Sequence, residues 1–425
     1  MIEHTFAGFG FGPIQAGLFA KEAFQSGNFK RIVVAEIDQT LVDAIRANNG
    51  TYYVNVATAQ NVETLKIDNV ELLNPTCPQD ATRLQAALAQ ATEIATCLPS
   101  IDFYCAGQTN SIAALMAEAL RHHQASATIV YAAENNNHAA EVLQEAVTER
   151  LDIPLPARVQ FLNTVIGKMS RVVDDPREID TLNLAPMAPG IDRAFLVEEF
   201  NHILATKATI PDFAPGIEVF IEKSDLLPFE EAKLYGHNAI HALLGFLGTL
   251  KGHTRMTDLK DDETLMGTAR EAFLCESGGA LVKKYAAMGD ELFTEPGYRH
   301  FAEDLLTRMT NPHLADTTAR ASRDIVRKLG PSDRIFGTMS LALQHGIEPK
   351  NMALGAMAGV ALLVQNADAY DLPEHLHGLD WRALDPNRLS DLFNWLWQGK
   401  MSPSLPELIE YTHDARNALI DVLDR

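Results

Sequence analysis

The sequence lacks an excess of basic side chains. Its 35 lysines and arginines stand against 56 aspartates and glutamates, which gives a formal net charge of −21 at pH 7. An acidic surface of this kind repels nucleic acid and anionic lipid headgroups. We therefore expect no nucleic-acid partner and no membrane partner, and any anion that the protein binds must meet a local cluster of basic residues.

Long apolar segments and paired cysteines are also missing. The longest uninterrupted run of apolar residues and glycine, residues 352–364, is too short to span a bilayer and predicts a buried helix. The initial segment MIEHTFAGFGFG has no basic residues ahead of an apolar core, so it does not predict a secretory signal. The four cysteines form no CxxC pair. This usage favours reduced thiols and a cytoplasmic location.

The sequence is long enough to form two domains. Its 425 residues, 47% hydrophobic and 21% charged, indicate a folded globular protein. In the first part, short apolar runs alternate with helical periodicity, which predicts an α/β fold with a doubly wound parallel sheet. The helical stretches include Asp80–Cys97, and the predicted strands are His4–Phe9, Arg31–Ile37, Ile101–Ala106 and Ala127–Ala133.

Helical periodicity dominates from about Arg193 onward. Two prolines within residues 186–191 interrupt both kinds of pattern and mark a boundary. The sequence therefore predicts an N-terminal α/β domain over residues 1–192 and an all-α C-terminal domain over residues 193–425.

A glycine-rich turn follows the first predicted strand. Gly8, Gly10 and Gly12 stand where a dinucleotide-binding domain brings its backbone close to a pyrophosphate, although Pro13 departs from the usual GxGxxG spacing. Glu36 ends the second strand, where a carboxylate can accept hydrogen bonds from both ribose hydroxyls. This combination predicts a Rossmann-type domain that binds NAD rather than NADP, because a carboxylate repels a 2′-phosphate. The alternatives are glycines that serve only the turn and a solvated Glu36.

Two weaker signals concern further ligands. Asn135 follows the predicted strand Ala127–Ala133, at an edge where strand ends line a cofactor cleft, so we expect it to bind the cofactor or to cap the next helix. His375 and His377 form an HxH pair without a third ligand nearby, so we expect no metal site.

The most specific pattern is K-x4-N-x2-H in a strongly helical segment. On an α-helix Lys233, Asn238 and His241 fall at about 0°, 140° and 80°, so their side chains can converge on one cleft. Oxidation of an alcohol needs a base for the hydroxyl proton and donors that hold the oxygen. Lysine and asparagine supply these two functions. The alternative is a set of polar residues on the surface of an amphipathic helix.

With these motifs the chain resembles the polyol-specific long-chain dehydrogenases, also called the mannitol dehydrogenase family. The similar segments include the glycine turn, NGTYYVNVA, KLYGHNAIH, ESGGALVKKY and VRKLGPSDRI. The resemblance implies metal-independent, NAD-dependent oxidation by a Rossmann-type domain followed by a helical domain. It also implies Lys233 as the base, Asn238 and Asn163 around the reacting oxygen, and substrate contacts by three residues, namely His241, Arg320 and Lys328. Gly167 and Lys168 depart from the Asp-Arg that the family usually has.

A basic cluster points to an anionic substrate. On one continuous helix Arg320, Arg323 and Arg327 lie within about 60° of each other, and like charges at this spacing repel each other unless an anion binds them. A phosphate group fits this arrangement. The alternative is a solvated helix face paired with Asp316 and Asp324.

Together these observations predict an enzyme that interconverts a sugar alcohol phosphate and a ketose phosphate with NAD. D-mannitol 1-phosphate and D-fructose 6-phosphate are the expected pair. Two alternatives stay open: a dehydrogenase of an unphosphorylated hexitol or hexuronate, and an NAD-binding regulatory protein with impaired turnover. We expect a small-molecule substrate and a monomer or small homo-oligomer.

Overall fold

The computed structural model describes residues 4–107, 110–200, 203–400 and 404–424. The chain divides into two compact units, Met1–Leu227 and Pro228–Arg425. This boundary lies later than the predicted one at residue 192, because three more strands of the first unit follow that point. Those strands have only four or five residues each, too few to show a clear period of two against the helical pattern around them.

The described part of the first unit contains two sheets. Its strands are β1 His4–Phe9, β2 Phe29–Ala35, β3 Tyr52–Ala57, β4 Val62–Ile67, β5 Val70–Leu73, β6 Glu93–Thr96, β7 Thr128–Ala132, β8 Val159–Ile166, β9 Ser170–Val173, β10 Ala194–Glu198, β11 Ile203–Thr206 and β12 Phe220–Lys223. Eight of them form a sheet in the order β12-β11-β8-β7-β6-β1-β2-β5, and four form a smaller sheet in the order β4-β3-β10-β9. The smaller sheet was not predicted.

Six strands of the larger sheet, from β8 across to β5, are parallel. The chain first adds strands on one side of β1 and then on the other, so the order reverses between β1 and β6. The carboxyl ends of these two strands form the crevice in which doubly wound sheets bind their ligands. The predicted α/β fold is confirmed.

Both faces of this sheet are buried. Alternate residues of a strand face opposite sides, and in β1 Phe6 packs in one apolar cluster while Ala7 and Phe9 pack in another. In β7, Ile129 and Tyr131 belong to the first of these clusters. The helices that accompany the strands are α1 Ala20–Ser26, α2 Gln39–Ala47, α3 Pro78–Gln90, α4 Ile112–Arg121, α5 Ala139–Thr148 and α6 Pro176–Thr181.

One predicted strand of the first unit is wrong. Residues Ile101–Tyr104 form a 3₁₀ helix, which begins at Ser100 because the Ser100 side chain accepts a hydrogen bond from the backbone N–H of Asp102. The strand lies earlier, at β6, within the stretch that was predicted as helix up to Cys97. Cys105, placed in a strand by the sequence pattern, is exposed.

The second unit is helical, as predicted. Its described helices are α7 Leu227–Glu231, α8 Ala239–Leu250, α9 Glu263–Glu271, α10 Gly278–Tyr285, α11 Glu295–Met309, α12 Thr318–Ser322, α13 Ile325–Lys328, α14 Arg334–Gln344, α15 Lys350–Gln365, α16 Pro386–Trp397 and α17 Leu405–Leu423. Residues 352–364 are buried throughout α15, which confirms the buried helix expected there. Nowhere in the described ranges is a helix both long and apolar enough to cross a membrane.

Candidate active site

The three glycines of the first turn do three different things. The amide nitrogen of Gln15 lies 1.6 Å from where a Cβ of Gly8 would stand, so Gly8 makes room for a buried side chain. Gly10 has φ +77°, and a Cβ there would come within 2.8 Å of a carbonyl oxygen, so it serves the turn. A Cβ at Gly12 would meet nothing within 4 Å. Gly12 precedes Pro13, the first helical residue, and this open backbone at a helix N-terminus fits a pyrophosphate.

Glu36 is not merely a solvated residue at the end of a strand. Its Oε2 accepts a hydrogen bond from the backbone N–H of Phe11 at 2.9 Å, which ties the end of β2 to the glycine turn. Its Oε1 accepts from the N–H groups of Ile37 at 2.7 Å and Asp38 at 2.8 Å. A carboxylate has about four acceptor positions, so three are in use and about one is left for a ligand. Glu36 therefore shapes the turn at the same edge at which a ribose was predicted.

A buried glutamate at this edge was missed by the sequence analysis. Glu134 follows β7 and accepts hydrogen bonds from the backbone N–H of Leu98 and from two hydroxyl groups. Burial raises its pKa. The neighbouring Asn135 is exposed and has a partner within the structure, while the side chain of Asn136 accepts from the backbone N–H of His138 at 2.8 Å, just before α5. This bond orders the loop just before α5, whose N-cap residue His138 makes no side-chain capping bond.

Asn163 lies on β8 in the first unit and is nearly buried. Its Oδ1 accepts a hydrogen bond from the backbone N–H of Ala140 at 2.8 Å, and its Nδ2 donates to Oε2 of Glu141 at 2.7 Å. Both ends of the amide therefore bind the first turn of α5. A role for Asn163 at the reacting oxygen stays a prediction.

Lys168, one of the two residues that depart from the family pattern, has a structural function. The Lys168 ammonium is buried and donates to the carbonyl oxygens of Glu198 and Phe200. These contacts join the end of β8 to the end of β10. Lys168 therefore stabilises the first unit at the position where the family usually has arginine.

In the second unit, Lys233 and Asn238 share a π-helical turn. The turn covers Ala232–Asn238 and joins α7 to α8 in one continuous helical stretch. The predicted angles of 0°, 140° and 80° assumed an α-helix and are therefore wrong for this turn. Because π-helical hydrogen bonds join residues five apart, residues at that spacing lie close to one line along the helix. Lys233 and Asn238 are five residues apart, so the turn brings their side chains nearer to alignment than an α-helix would.

The environment of Lys233 keeps more of its amine in the neutral form that can accept a proton. Burial is the main cause that lowers its pKa to about 8, and the positive charge of Arg334 lowers the pKa further, while Glu230 opposes the shift. His237 lies on the same turn, and burial lowers its pKa well below the usual value for histidine. The turn thus carries a lysine that loses its proton in the physiological range.

One turn further along, His241 belongs to a chain of polar contacts. Its Nε2 lies 2.9 Å from Oδ2 of Asp316, and the other carboxylate oxygen accepts a hydrogen bond from Nη1 of Arg320 at 2.9 Å. These bonds hold the pKa of Asp316 far below its usual range despite its burial. The amide of Asn238 is partly exposed and has no hydrogen-bond partner among the described residues. The His241 ring is thereby fixed, and the Asn238 amide is available for a ligand.

Lys328 is a second buried lysine. Its Nζ donates to the carbonyl oxygen of Ala321 at 2.6 Å. Burial, followed by the charge of Arg334, lowers the pKa of Lys328 to about 8, and Arg323 and Arg327 act in the same direction. Several cationic side chains therefore lie close enough to Lys328 to lower its pKa.

The arginines are not on one helix, so their predicted angular grouping is wrong. Helix α12 ends at Ser322, Arg323 is its extended C-cap residue, and Asp324 has φ +62°, after which α13 begins. Arg320 pairs with Asp316, whereas the exposed Arg327 pairs with Asp324 at 3.3 Å. Arg323 is exposed, and its guanidinium has no hydrogen-bond partner in the described ranges. The alternative of pairing with aspartates holds for Arg320 and Arg327 but not for Arg323.

Arg334 is a site residue that the sequence analysis did not select. Its side chain is only 12% exposed and its Nη1 donates to Asp333 at 2.6 Å. Its charge acts on Lys233, His237 and Lys328 alike. The sequence signal was weak, because an arginine directly after a helix-capping aspartate is an ordinary surface pattern.

The histidine pair near residue 376 does not form a metal site with its neighbours. Nε2 of His377 lies 2.6 Å from the carbonyl oxygen of Leu372, and its Nδ1 lies 3.4 Å from Asp368. Across the ranges that the structure describes, no group of three or more histidine, cysteine, aspartate or glutamate residues is arranged to hold a metal ion.

Comparisons with known proteins agree with this architecture. Residues 225–371 match the mannitol dehydrogenase C-terminal domain. The chain is 26% identical over 366 residues to a mannitol-1-phosphate 5-dehydrogenase of Exiguobacterium sibiricum, covering 85% of this chain and 86% of that protein. It is 27% identical over 368 residues to a protein of the same name from Brevibacillus brevis, covering 86% of each.

Solved structures confirm the fold. A substrate-free D-sorbitol dehydrogenase superposes with a TM-score of 0.76 at 17% identity, over 99% of this chain and 94% of that one. The mannitol 2-dehydrogenase of Pseudomonas fluorescens, in a ternary complex with NAD and D-mannitol, superposes with a TM-score of 0.69 at 18% identity, over 100% of this chain and 94% of that one. The predicted resemblance to the polyol-specific long-chain dehydrogenases is confirmed.

Proposed function

We propose, from the membership of residues 225–371 in the mannitol dehydrogenase C-terminal domain family, that the chain is an NAD-dependent dehydrogenase of a polyol phosphate. The substrate pair is D-mannitol 1-phosphate and D-fructose 6-phosphate. The observation that carries the proposal is the pairing of Lys233, with its pKa lowered to about 8, and the available Asn238 amide on one π-helical turn.

Lys233 acts as the general base. Its neutral amine accepts the proton of the substrate hydroxyl that becomes the carbonyl. The Asn238 amide donates a hydrogen bond to the same oxygen, where negative charge develops as the proton leaves. His241, held by Asp316, binds a second substrate hydroxyl. These roles need no metal ion, since the lysine moves the proton and the amide holds the oxygen.

The first unit fits NAD. Gly12 leaves the backbone open at the start of a helix, where N–H groups can bind a pyrophosphate. Glu36 lies at the end of β2 with about one acceptor position left for a ribose hydroxyl. Bound NAD supplies the acceptor for the hydride that leaves the alcohol carbon. A carboxylate at position 36 disfavours the 2′-phosphate of NADP.

Arg323 is the residue that we assign to the substrate phosphate. It is exposed, its guanidinium has no partner among the described residues, and its charge acts on Lys328 nearby. A guanidinium binds a phosphate through two parallel hydrogen bonds. Because Arg320 and Arg327 already pair with aspartates, their contribution to phosphate binding is smaller than that of Arg323.

A second candidate is the oxidation of an unphosphorylated hexitol. It is favoured by the break between α12 and α13. Because of this break and the pairing with aspartates, one arginine without an acidic partner among the described residues stands where the sequence had predicted a group of three on one helix. A hexitol can bind His241 and Arg320 through its hydroxyls alone.

The experiment assays a panel of substrates with NAD and measures turnover by the absorbance of NADH. The panel contains mannitol 1-phosphate, mannitol, sorbitol and its 6-phosphate, and a hexuronate assayed with NADH in the reverse direction. The proposal predicts the highest kcat/KM for mannitol 1-phosphate. A preference for free mannitol would support the second candidate, and no turnover with any of these compounds would favour a regulatory role.

A further inference from the structure

The π-helical turn over Ala232–Asn238 needs an explanation of its own. Such turns are rare inside α-helices, because an extra residue is accommodated in the turn and the regular pattern of bonds between residues four apart is lost. If the turn relaxed to an α-helix, Lys233 would move by about 100° and about 1.5 Å relative to the helix that follows. The side chains of Lys233 and Asn238 would then lie about 140° apart around the helix axis instead of near one line.

Helix α14 contacts the π-helical turn at its centre. The Thr338 hydroxyl lies 3.2 Å from the carbonyl oxygen of Tyr235, and it also contacts the carbonyl oxygen of Arg334 in its own helix. One residue earlier, Gly337 lacks the Cβ that would come 2.6 Å from the Tyr235 ring. The Tyr235 hydroxyl reaches back toward the carbonyl oxygen of Ser332 at 3.4 Å.

The opposite side of the turn is also closely packed. A Cβ on Gly236 would lie 2.8 Å from the Tyr298 hydroxyl and 2.9 Å from the Phe273 ring. Packing on this side is mostly aromatic, and the Tyr298 hydroxyl bonds to Ser277 rather than to the turn. On the α14 side, by contrast, a fully buried hydroxyl contacts one particular carbonyl of the turn.

We propose that Thr338 is a positioning residue that holds the π-helical turn in the register that brings Lys233 beside Asn238. Its hydroxyl shares its single hydrogen between the carbonyl oxygen of Arg334 in α14 and that of Tyr235 in the turn, and the contact to Tyr235 stabilises a backbone arrangement that an α-helix would not have. This inference rests on the proposed function for its kinetic consequences, but its structural part concerns Lys233 alone.

The chain offers a matched control for a substitution at Thr338. Thr412 in α17 is also fully buried, and its hydroxyl also bonds the carbonyl oxygen four residues earlier, that of Leu408. Thr338→Val and Thr412→Val therefore remove the same group from the same kind of environment, but only Thr338 contacts the π-helical turn. Thr338→Ser keeps the hydroxyl and serves as the rescue variant.

The kinetic test compares these variants as full-length proteins with NAD and mannitol 1-phosphate. We expect Thr338→Val to lose on the order of 10- to 100-fold in kcat, with an unchanged KM for NAD, while Thr412→Val keeps the wild-type kcat. Both valine variants should show a similar fall in Tm, and Thr338→Ser should recover most of the activity. Equal kcat for Thr338→Val and Thr412→Val overturns the proposal. If Thr338→Val does not fold, Thr338→Ala and Thr412→Ala make the same comparison with the same criteria.

A second readout does not depend on activity. Modification of Lys233 by acetic anhydride, measured by mass spectrometry across pH, reports the pKa of its amine. The pH of half-maximal modification should lie near 8 in the wild type, should rise in Thr338→Val as Lys233 leaves its buried position, and should return in Thr338→Ser. A midpoint that does not move in Thr338→Val overturns the proposal for Thr338, whether or not the wild-type chain oxidises a polyol phosphate. A wild-type chain that oxidises no polyol phosphate would instead contradict the proposed function.

Discussion

Removal of the Lys233 amine should abolish most of the catalysis, and the structure sets the size of the effect. At pH 8 a lysine of pKa about 8 is half neutral, whereas at the ordinary lysine pKa of 10.5 about 0.3% would be neutral, since 10^−2.5 is about 0.003. The site thus provides on the order of 150 times more of the proton-accepting form. Polyol oxidation should therefore rise with pH through a midpoint near 8, because the neutral amine is the active form.

Lys233→Ala should lose on the order of 10³-fold in kcat, as is typical when a general base is removed. Lys233→Arg keeps the positive charge but cannot lose its proton near pH 8, so it should be about as inactive as the alanine variant. Lys260→Ala removes an exposed lysine of the same unit and is the control with normal turnover. The assay is initial NADH formation from pH 6 to 10, with NAD affinity measured separately. An arginine variant with near-normal turnover would refute proton transfer by Lys233.

Three further predictions concern the cofactor, the substrate phosphate and the fold. The wild-type chain should use NAD with a kcat/KM at least about tenfold higher than NADP, because the Glu36 carboxylate disfavours a 2′-phosphate. Similar values for the two cofactors would contradict the role of Glu36 in cofactor selection. Arg323→Ala should cost about 2 kcal/mol, or about 30-fold in kcat/KM, with mannitol 1-phosphate and little with mannitol. The control is Arg299→Ala, at another exposed arginine. Equal losses on both substrates in Arg323→Ala would indicate a structural role for Arg323. Glu276→Ala should lower the free energy of unfolding by about 2–4 kcal/mol in urea titrations, because Glu276 accepts three hydrogen bonds at the start of α15; an effect as small as that of exposed Glu271→Ala would contradict this reasoning.

The parts of the fold that the sequence predicted well are those with a local signal. Strand β1 coincides with the predicted His4–Phe9, and α15 coincides with a long apolar run. Strand β6, by contrast, has four residues that are all buried. A strand buried on both faces shows no alternation of apolar and polar residues, so this one could not be separated from the preceding helix.

The sequence supplied the candidate site residues but not their geometry. The spacing of Lys233 and Asn238 was visible in the sequence, but the π-helical turn that carries them is stabilised by contacts from residues about 100 positions away, such as Thr338. Likewise, the left-handed conformation of Asp324 separates Arg320 from Arg327. Aspartate tolerates this conformation better than most residues, but nothing in the local pattern required it here.

The burial of charged side chains was the property that the sequence indicated least. Arg334 and Lys328 look like ordinary surface residues in a basic segment, yet both are largely buried. The effect of Arg334 on the pKa values of Lys233 and Lys328 depends on distances that only the packed helices determine. The sequence therefore predicted a lysine base, whereas the lowered pKa of Lys233 followed from the structure.

The proposed function requires hydride transfer from carbon 5 of mannitol 1-phosphate to NAD with Lys233 as the base. An experiment with mannitol 1-phosphate deuterated at that carbon follows the label by NMR and mass spectrometry. We expect that the wild-type chain moves the deuterium to the nicotinamide ring of NADH, with a slower rate than for the undeuterated substrate, and that Lys233→Ala forms this product on the order of 10³-fold more slowly. Loss of the label to water, or no labelled NADH from the wild-type chain, would contradict the proposed function.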